Sequence, residues 1–145
     1  GLSFSLLFFQ TGLDRMRAGN MNLTEVSFSA FKGLLLGTVG IVLLSLTAYI
    51  LMKLFGGAWE VGQTIKAMAL SYSSSMVYMA LGFIANLIFG WNTSVAFGVA
   101  GVIWTLGPLY SVFRNMSGNR ILPSVSITTL CGAVALYGWY IFAAV

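Results

Sequence analysis

The sequence contains little charge, and that shortage excludes whole classes of protein. Seven basic and three acidic side chains make up 7% of its 145 residues, whereas a soluble domain has about 25% charged residues. A globule of this size could not cover itself with a polar surface, so a soluble enzyme or a disordered tail is excluded. The basic residues occur singly, without the run or stripe that follows a phosphate backbone, so no nucleic acid is expected as a partner.

Histidine is absent and there is one cysteine, Cys131. A disulfide framework, a histidine-based metal site and a histidine-dependent triad are therefore not expected. No charged residue lies near the middle of an apolar stretch, so the groups that a proton pump, an ion-coupled transporter or an intramembrane aspartyl protease would need are missing. Cys131 stands beside Gly132 and is interpreted as a small packing residue. The sequence predicts a protein that is not an enzyme and has no cofactor or metal site of its own.

Apolar residues make up 59% of the chain, and the mean hydropathy is +0.93. A helix needs about 20 apolar residues to cross about 30 Å of hydrocarbon. Because the apolar runs are continuous and do not alternate with polar residues, helices are favoured over a barrel. The sequence predicts an all-α integral membrane bundle of four full transmembrane helices, joined by short turns. The four predicted spans are 33–55, 67–90, 94–113 and 121–145.

Residues 1–32 are interpreted as a separate N-terminal piece ahead of a membrane domain at 33–145. Leu2–Phe9 is apolar but too short to span a bilayer. It is either a segment at the membrane interface or the last turns of an earlier transmembrane helix, a partial helix that would add to the four. Residues 14–32 are polar and predict a short amphipathic helix on the membrane surface. Asn22 and Glu25 have the spacing of a capping box.

Small and hydroxyl-bearing residues recur inside the predicted spans. Gly33 and Gly37 form a G-x-x-x-G pair, and Gly98 and Gly101 lie in the third span, so these four glycines are the candidate helix-packing positions. Packing within one chain is favoured over a seam between two copies. The hydroxyls of 71–75 are expected to hydrogen-bond across helices. A path for a neutral solute along that face is a further alternative.

The basic residues divide unequally between the two sides of the predicted bundle. Arg15, Arg17 and Lys32 lie on one side, and the other side has four basic residues: Lys53, Lys66, Arg114 and Arg120. The positive-inside rule therefore favours a cytoplasmic 114–120 loop. Arg114, Arg120, Arg15 and Arg17 are the candidate contacts for partner proteins or lipid headgroups.

The stretch from the first to the second span carries a family resemblance. Phe55-Gly56-Gly57 is followed by Gln63, Ile65 and Lys66 and then by Tyr72-Ser73, and this order resembles the Yip family of Rab-GTPase-interacting membrane proteins and their bacterial relatives. A tryptophan-containing third span that runs into a basic loop, 104–114, is also similar. The resemblance covers residues 33–145. It implies a five-span protein in which Leu2–Phe9 belongs to the first span, and it implies a cytoplasmic 114–120 loop.

Two functions remain as hypotheses. The first is a non-enzymatic, Yip-like protein that acts by protein–protein interaction in membrane organisation or trafficking, with small GTPases among its partners. The second is a small accessory subunit of a respiratory or photosynthetic complex that binds lipid or pigment. Both predict contacts with membrane lipids and other membrane proteins, and an oligomer or hetero-complex. The sequence does not distinguish the endoplasmic reticulum or Golgi, another organelle, or a bacterial inner membrane.

Overall fold

The computed structural model describes residues 1–141, and every regular element in that part of the chain is a helix. The last four residues of the predicted fourth span, 142–145, lie outside the described residues. The all-helical class predicted from the sequence is confirmed. The helices are α1 (Leu2–Arg17), α2 (Leu23–Leu54), α3 (Val61–Ser73), α4 (Met76–Phe89), α5 (Ser94–Met116) and α6 (Ile121–Trp139).

Four helical stretches are long and apolar enough to cross a membrane, which confirms a multi-pass integral membrane protein. Three of them are α2, α5 and α6. The fourth is α3 and α4 taken together, a stretch of 29 residues with a break at Ser74 and Ser75. The Ser74 hydroxyl donates to the carbonyl of Ser71 at 2.6 Å, and the Ser75 hydroxyl donates to that of Tyr72 at 2.7 Å. Such bonds to the preceding turn bend helices.

Helix α2 differs from the prediction because it begins at Leu23 and not near residue 33. The predicted surface helix at 14–32 is wrong: its first residues end α1, and its last ten are the opening turns of α2. The capping box itself is confirmed, since Asn22 Oδ1 accepts from the Glu25 amide at 2.9 Å and the Asn22 amide donates to Glu25 Oε2 at 2.7 Å. No proline or glycine lies between Leu23 and Gly33, so the helix continues without a break into the apolar span.

Helix α1 packs antiparallel against α2 and belongs to the bundle. Its Leu7 and Phe8 are 1% and 2% exposed. The Ser5 hydroxyl donates to the carbonyl of Ala30 at 2.9 Å, and the Ser29 hydroxyl donates to that of Phe8 at 3.3 Å. Because α1 is buried against α2, residues 1–32 do not form a separate piece. The boundary predicted at 32/33 falls inside one helix.

Two buried clusters hold the bundle together, one toward each end. The larger cluster joins α2, α3, α5 and α6, and the smaller one joins α1, α4 and α6. The outward faces remain apolar, with Leu43 and Ile50 each 60% exposed, as expected for surfaces that contact lipid. The larger cluster contains Ala48, Met52, Met68, Leu109, Phe113, Met116, Ile127 and Cys131. The smaller one contains Leu7, Phe8, Met79 and Trp139.

We expect Asn22→Ala to lower the free energy of unfolding by about 1 kcal/mol, because the first turn of α2 loses its side-chain acceptor. Unfolding in detergent micelles, followed by loss of helical circular dichroism, measures the change. Asn20→Ala is the matched control, since Asn20 is exposed in the same turn and its side chain makes no hydrogen bond within residues 1–141. Equal losses in the two variants would contradict a role for the cap.

Candidate functional site at the polar ends of the bundle

Gly33 and Gly37 lie where the α1 and α2 backbones approach each other. A Cβ on Gly33 would lie 2.6 Å from the carbonyl oxygen of Phe4 and 2.8 Å from Cβ of Phe8. A Cβ on Gly37 would lie 2.7 Å from Cβ of Phe4. Neither position can accept a side chain without moving α1. The G-x-x-x-G pair therefore faces a helix of the same chain.

Gly98 and Gly101 face the interior of the bundle from α5. A Cβ on Gly98 would lie 3.0 Å from Cδ1 of Leu7 and 3.4 Å from the ring of Trp139. A Cβ on Gly101 would lie 2.6 Å from the terminal methyl of Met79. The four glycines singled out in the sequence thus make their close contacts within the chain.

A polar network of Asp14, Arg17, Asn86 and Ser94 joins three helices at one end of the bundle. Arg17 donates two hydrogen bonds to Asn86, each at 2.7 Å. Nη1 donates to the side-chain Oδ1, and Nη2 donates to the backbone carbonyl oxygen. Asn86 Nδ2 donates to Oδ1 of Asp14 at 2.6 Å, and the Ser94 hydroxyl donates to Oδ2 of Asp14 at 3.0 Å. Asn86 is fully buried. Its amide group therefore links a guanidinium to a carboxylate.

Two further side chains continue this linkage toward the interior. Gln10 is fully buried, and its Nε2 donates to the carbonyl of Met79 at 2.8 Å. The Thr93 hydroxyl lies 2.9 Å from the carbonyl oxygen of Gly82 and 3.1 Å from Oε1 of Gln10. These contacts give buried polar groups partners inside the bundle, which the hydrocarbon around it could not supply.

The polar network is suited to holding helices together and not to acid–base chemistry. Both carboxylate oxygens of Asp14 accept hydrogen bonds, and Arg17 Nη1 lies 3.9 Å from Oδ1, so the negative charge is compensated within the chain. Arg17, a candidate contact for partners, directs its guanidinium to Asn86. Arg15, the other candidate at this end, lies on the rim of a depression of about 260 Å³ beside Asp14.

The involvement of Asp14 and Arg17 in a network with Asn86 was missed in the sequence. Asp14 and Arg17 are three residues apart, so they lie on one face at the end of an apolar helix. Asn86 is the one asparagine inside the second predicted span. Two features of the sequence could have indicated the network: a pair of opposite charges at helical spacing, and a single amide side chain in an apolar span. The sequence did not show that the two would meet, because they are 69 residues apart or more.

At the opposite end, Lys53, Lys66, Arg114 and Arg120 form what we call the basic face. Lys53 lies in the last turn of α2, Lys66 in α3, Arg114 near the end of α5, and Arg120 directly before α6. Arg120 is exposed, and its Nη1 donates to the carbonyl of Phe55 at 2.9 Å. Arg114 is partly exposed, and its Nη1 donates to the hydroxyl of Tyr110 at 3.1 Å. The first of these bonds ties the turn after α2 to the turn between α5 and α6.

The turn between α5 and α6 has a defined backbone. Gly118 and Asn119 adopt left-handed φ values of 64° and 67°, which a glycine and an asparagine tolerate. The Asn119 amide donates to the carbonyl of Arg114 at 2.8 Å and closes the end of α5. The Ser117 hydroxyl lies 3.0 Å from that of Ser124 in α6. Arg114 and Arg120 are thus held at opposite ends of a fixed turn.

The ionic balance of the two ends differs. The basic face has four cations, and Glu60 is the acidic residue on its side of the bundle. The other end has three cations and two carboxylates, Asp14 and Glu25, and one of those cations, Arg17, is hydrogen-bonded to Asn86. The basic face is therefore the more positive end of the described bundle.

Comparison with protein-family models, curated proteins and solved structures finds no match for this chain. Within residues 1–141, no three His, Cys, Asp or Glu side chains lie close enough together to hold a metal ion. Cys131 is buried in the larger cluster, where its carbonyl oxygen accepts the Tyr72 hydroxyl at 3.0 Å. The candidate sites that remain are the basic face and the polar network.

We expect Asn86→Leu to destabilise the bundle by about 2 kcal/mol, because Asp14 would lose the amide donor to Oδ1 and Arg17 would lose the acceptor of Nη1, although the bond from Arg17 Nη2 to the backbone carbonyl of residue 86 remains. The triple variant Asp14→Leu, Arg17→Leu, Asn86→Leu removes the charges together with the amide. It is expected to be less destabilised than the single variant. Thermal unfolding in one detergent compares the three proteins. A single variant as stable as the wild type would show that the network does not hold the helices together.

Proposed function

We propose that this chain is a non-enzymatic, Yip-like membrane protein that acts by binding partner proteins at its basic face. The observation that carries the proposal is the bond from Arg120 to the carbonyl of Phe55. It joins the Phe-Gly-Gly turn and the basic turn, two of the segments on which the family resemblance rests, into one exposed surface. The resemblance adds small GTPases as a partner class, with a role in membrane organisation or trafficking.

The charge of this surface supports a partner of a particular kind. Lys53, Lys66 and Arg120 are exposed, and Arg114 is partly exposed. A cluster of cations in water attracts an acidic protein surface and speeds its encounter. Because guanidinium groups bind carboxylates with two parallel hydrogen bonds, Arg114 and Arg120 supply the directional part of the contact. An acidic protein surface is thus the partner chemistry that fits.

The proposed orientation places the basic face in the cytoplasm. Four basic residues lie on this side of the spans and three on the other, and the positive-inside rule favours the larger number on the cytoplasmic side. A cytoplasmic face would be within reach of small GTPases. The identity of the membrane does not enter the proposal.

The double variant Arg114→Ala, Arg120→Ala is expected to reduce recovery of cross-linked partner proteins about tenfold, because two charge-assisted contacts are lost. Arg15→Ala is the matched control, a partly exposed arginine at the opposite end, and it should leave recovery unchanged. Equal circular dichroism and elution volume establish that the double variant is folded. Unchanged recovery would contradict the basic face as the docking surface. If the wild type instead remains within a larger stoichiometric particle in mild detergent, the accessory-subunit hypothesis is favoured.

Cysteine labelling tests the orientation independently. Asn115 near the basic face and Asn20 at the opposite end are both exposed, and the native Cys131 is buried. We expect a membrane-impermeant maleimide applied to intact cells, or to sealed organelles with their cytoplasmic side inward, to label Asn20→Cys and not Asn115→Cys. Permeabilised membranes should allow labelling of both. The reverse pattern would contradict a cytoplasmic basic face.

A further inference from the structure

Two aromatic side chains on the outer seam between α4 and α5 carry polar groups at mid-membrane depth. Trp104 lies beside the midpoint of α5, and Tyr78 lies near the midpoint of the span formed by α3 and α4. Their ring centroids are 5.4 Å apart, so the two rings share one depth. Trp104 is 57% exposed, and Tyr78 is partly exposed. Tryptophan and tyrosine usually lie at the membrane–water interface, where water meets the polar tip of the ring. At this depth hydrocarbon surrounds them instead.

The polar atoms of this pair have no partner within the described chain. The Tyr72 and Tyr110 hydroxyls have hydrogen-bond partners inside the bundle. By contrast, no residue within 1–141 accepts a hydrogen bond from the Tyr78 hydroxyl or from Trp104 Nε1. A hydroxyl or an N–H that stays unbonded in hydrocarbon is costly. The pair therefore favours a neighbour that brings hydrogen-bond acceptors to the middle of the membrane.

Pro108 adds an acceptor to the same surface. Proline has no backbone N–H, so the carbonyl of Trp104, four residues earlier, loses its helical donor. Gly107 and Pro108 are both exposed, and a Cβ on Gly107 would meet no described atom within 4 Å. This turn of α5 is thus open to a close neighbour. Tyr78, Trp104, Gly107 and Pro108 form what we call the mid-membrane patch, which presents an unbonded acceptor beside two unbonded donors.

The mid-membrane patch lies on a different side of the bundle from Gly1. Gly1 sits against α2, where its Cα lies 3.2 Å from a Cβ placed on Gly37. Met76 faces the groove that begins there, whereas Tyr78 and Trp104 do not line it. Tyr78 is two residues further along α4, which is about 200° around the helix. The exposure of the patch therefore does not depend on what lies next to Gly1.

We propose that the mid-membrane patch is the contact between two copies of this chain. A two-fold axis along the membrane normal would bring the two patches together at one depth. The Tyr78 hydroxyl of one copy would then donate to the Trp104 carbonyl of the other, and symmetry would form the reverse bond. Gly107 would let the two α5 backbones approach closely. A donor and an acceptor on one surface make it self-complementary, which a symmetric dimer requires.

A second copy satisfies more of these groups than a lipid does. A phospholipid tail has neither a donor nor an acceptor, and its headgroup stays at the membrane surface. Pairing of two patches instead gives a partner to the hydroxyl and to the carbonyl of each copy. The proposal does not depend on the function of the basic face. Both copies keep the same orientation, so both basic faces remain exposed on one side of the membrane.

Energy transfer between chains in vesicles measures the association. Asn20→Cys protein is labelled with a donor or an acceptor dye, since Asn20 is exposed and the native Cys131 is buried. The two populations are reconstituted together in phosphatidylcholine at a series of protein-to-lipid ratios. We expect energy transfer that exceeds random proximity and follows a monomer–dimer curve as lipid is added.

Disulfide formation locates the contact. Ser111 is exposed one helical turn beyond Gly107 on the same face of α5, so Ser111→Cys should give cross-linked dimers on oxidation. Ile50→Cys is the matched control, because Ile50 is exposed near the same end of α2. It should give no more dimer than random collision does. Cross-linking through Ile50→Cys and not through Ser111→Cys would contradict the proposal.

Three substitutions separate the parts of the contact. Tyr78→Phe removes one donor from each copy and should raise the dimer dissociation constant about tenfold, because two bonds between helices are lost. Pro108→Ala supplies the missing N–H to the Trp104 carbonyl. It should weaken the dimer while leaving the single chain at least as stable. Gly107→Leu should abolish the dimer at every protein-to-lipid ratio, because the α5 backbones can no longer approach.

Tyr137→Phe and Gly40→Leu are the matched controls. Tyr137 is 66% exposed on α6, and a Cβ on Gly40 of α2 likewise meets no described atom within 4 Å. Both variants should leave the dissociation constant unchanged. If Gly107→Leu does not fold, Tyr78→Phe keeps the test, since it removes a hydroxyl and leaves the ring packed on Trp104.

Three results would overturn the proposal. Energy transfer no greater than random proximity would show that the chains do not associate. A dissociation constant unchanged in Tyr78→Phe, Pro108→Ala and folded Gly107→Leu would place the contact on another face. Native mass spectrometry from mild detergent could instead find single chains that carry a sterol, isoprenoid or pigment, lost in Tyr78→Phe. That result would assign the patch to the small molecule and not to a second copy.

Discussion

The α1 backbone crosses α2 where Gly33 and Gly37 present no side chain, and much of the structure depends on that close approach. It holds α1 inside the bundle, where Leu7 and Phe8 are buried against α4 and α6. It also places the C-terminal turn of α1 beside α4 and α5, so that Asp14 and Arg17 meet Asn86. In hydrocarbon no hydrophobic effect drives helices together, so close packing and hydrogen bonds between helices must stabilise their association. This bundle combines both along one helix.

The two ends of the bundle use their polar residues differently. At the α1 end, Asp14 and Arg17 bond to Asn86, Asp14 also accepts from Ser94, and these bonds hold helices together. At the opposite end, Arg120 uses one nitrogen to join two turns while the side chain remains exposed, and no carboxylate of the described residues forms an ion pair with it. A charge left exposed at a membrane surface is available to a partner. Asp14 and Arg17 bond instead to the buried Asn86 of another helix and contribute to stability, which is why the two ends carry different proposals.

The four spans could be predicted from the sequence because the length and continuity of apolar runs depend on bilayer thickness alone. The start of α2 could not, although the capping box at Asn22 was visible. A cap shows where a helix begins but not where it ends, and polar residues at 24–32 suggested a separate surface helix. The Asp14–Asn86–Arg17 contacts depend on which helices are neighbours, and local patterns do not determine that.

The length of α2 has a consequence for the membrane around it. Its 32 residues extend about 48 Å, whereas the 23 residues of α5 extend about 35 Å. A bilayer that fits α5 leaves α2 with an excess that tilting alone would remove only at a steep angle. Exposed Phe28 and Phe31 occupy the first turns of that excess, so they would lie among headgroups in a thin bilayer and among acyl chains in a thicker one. Hydrophobic mismatch thus couples bilayer thickness to the position of α2.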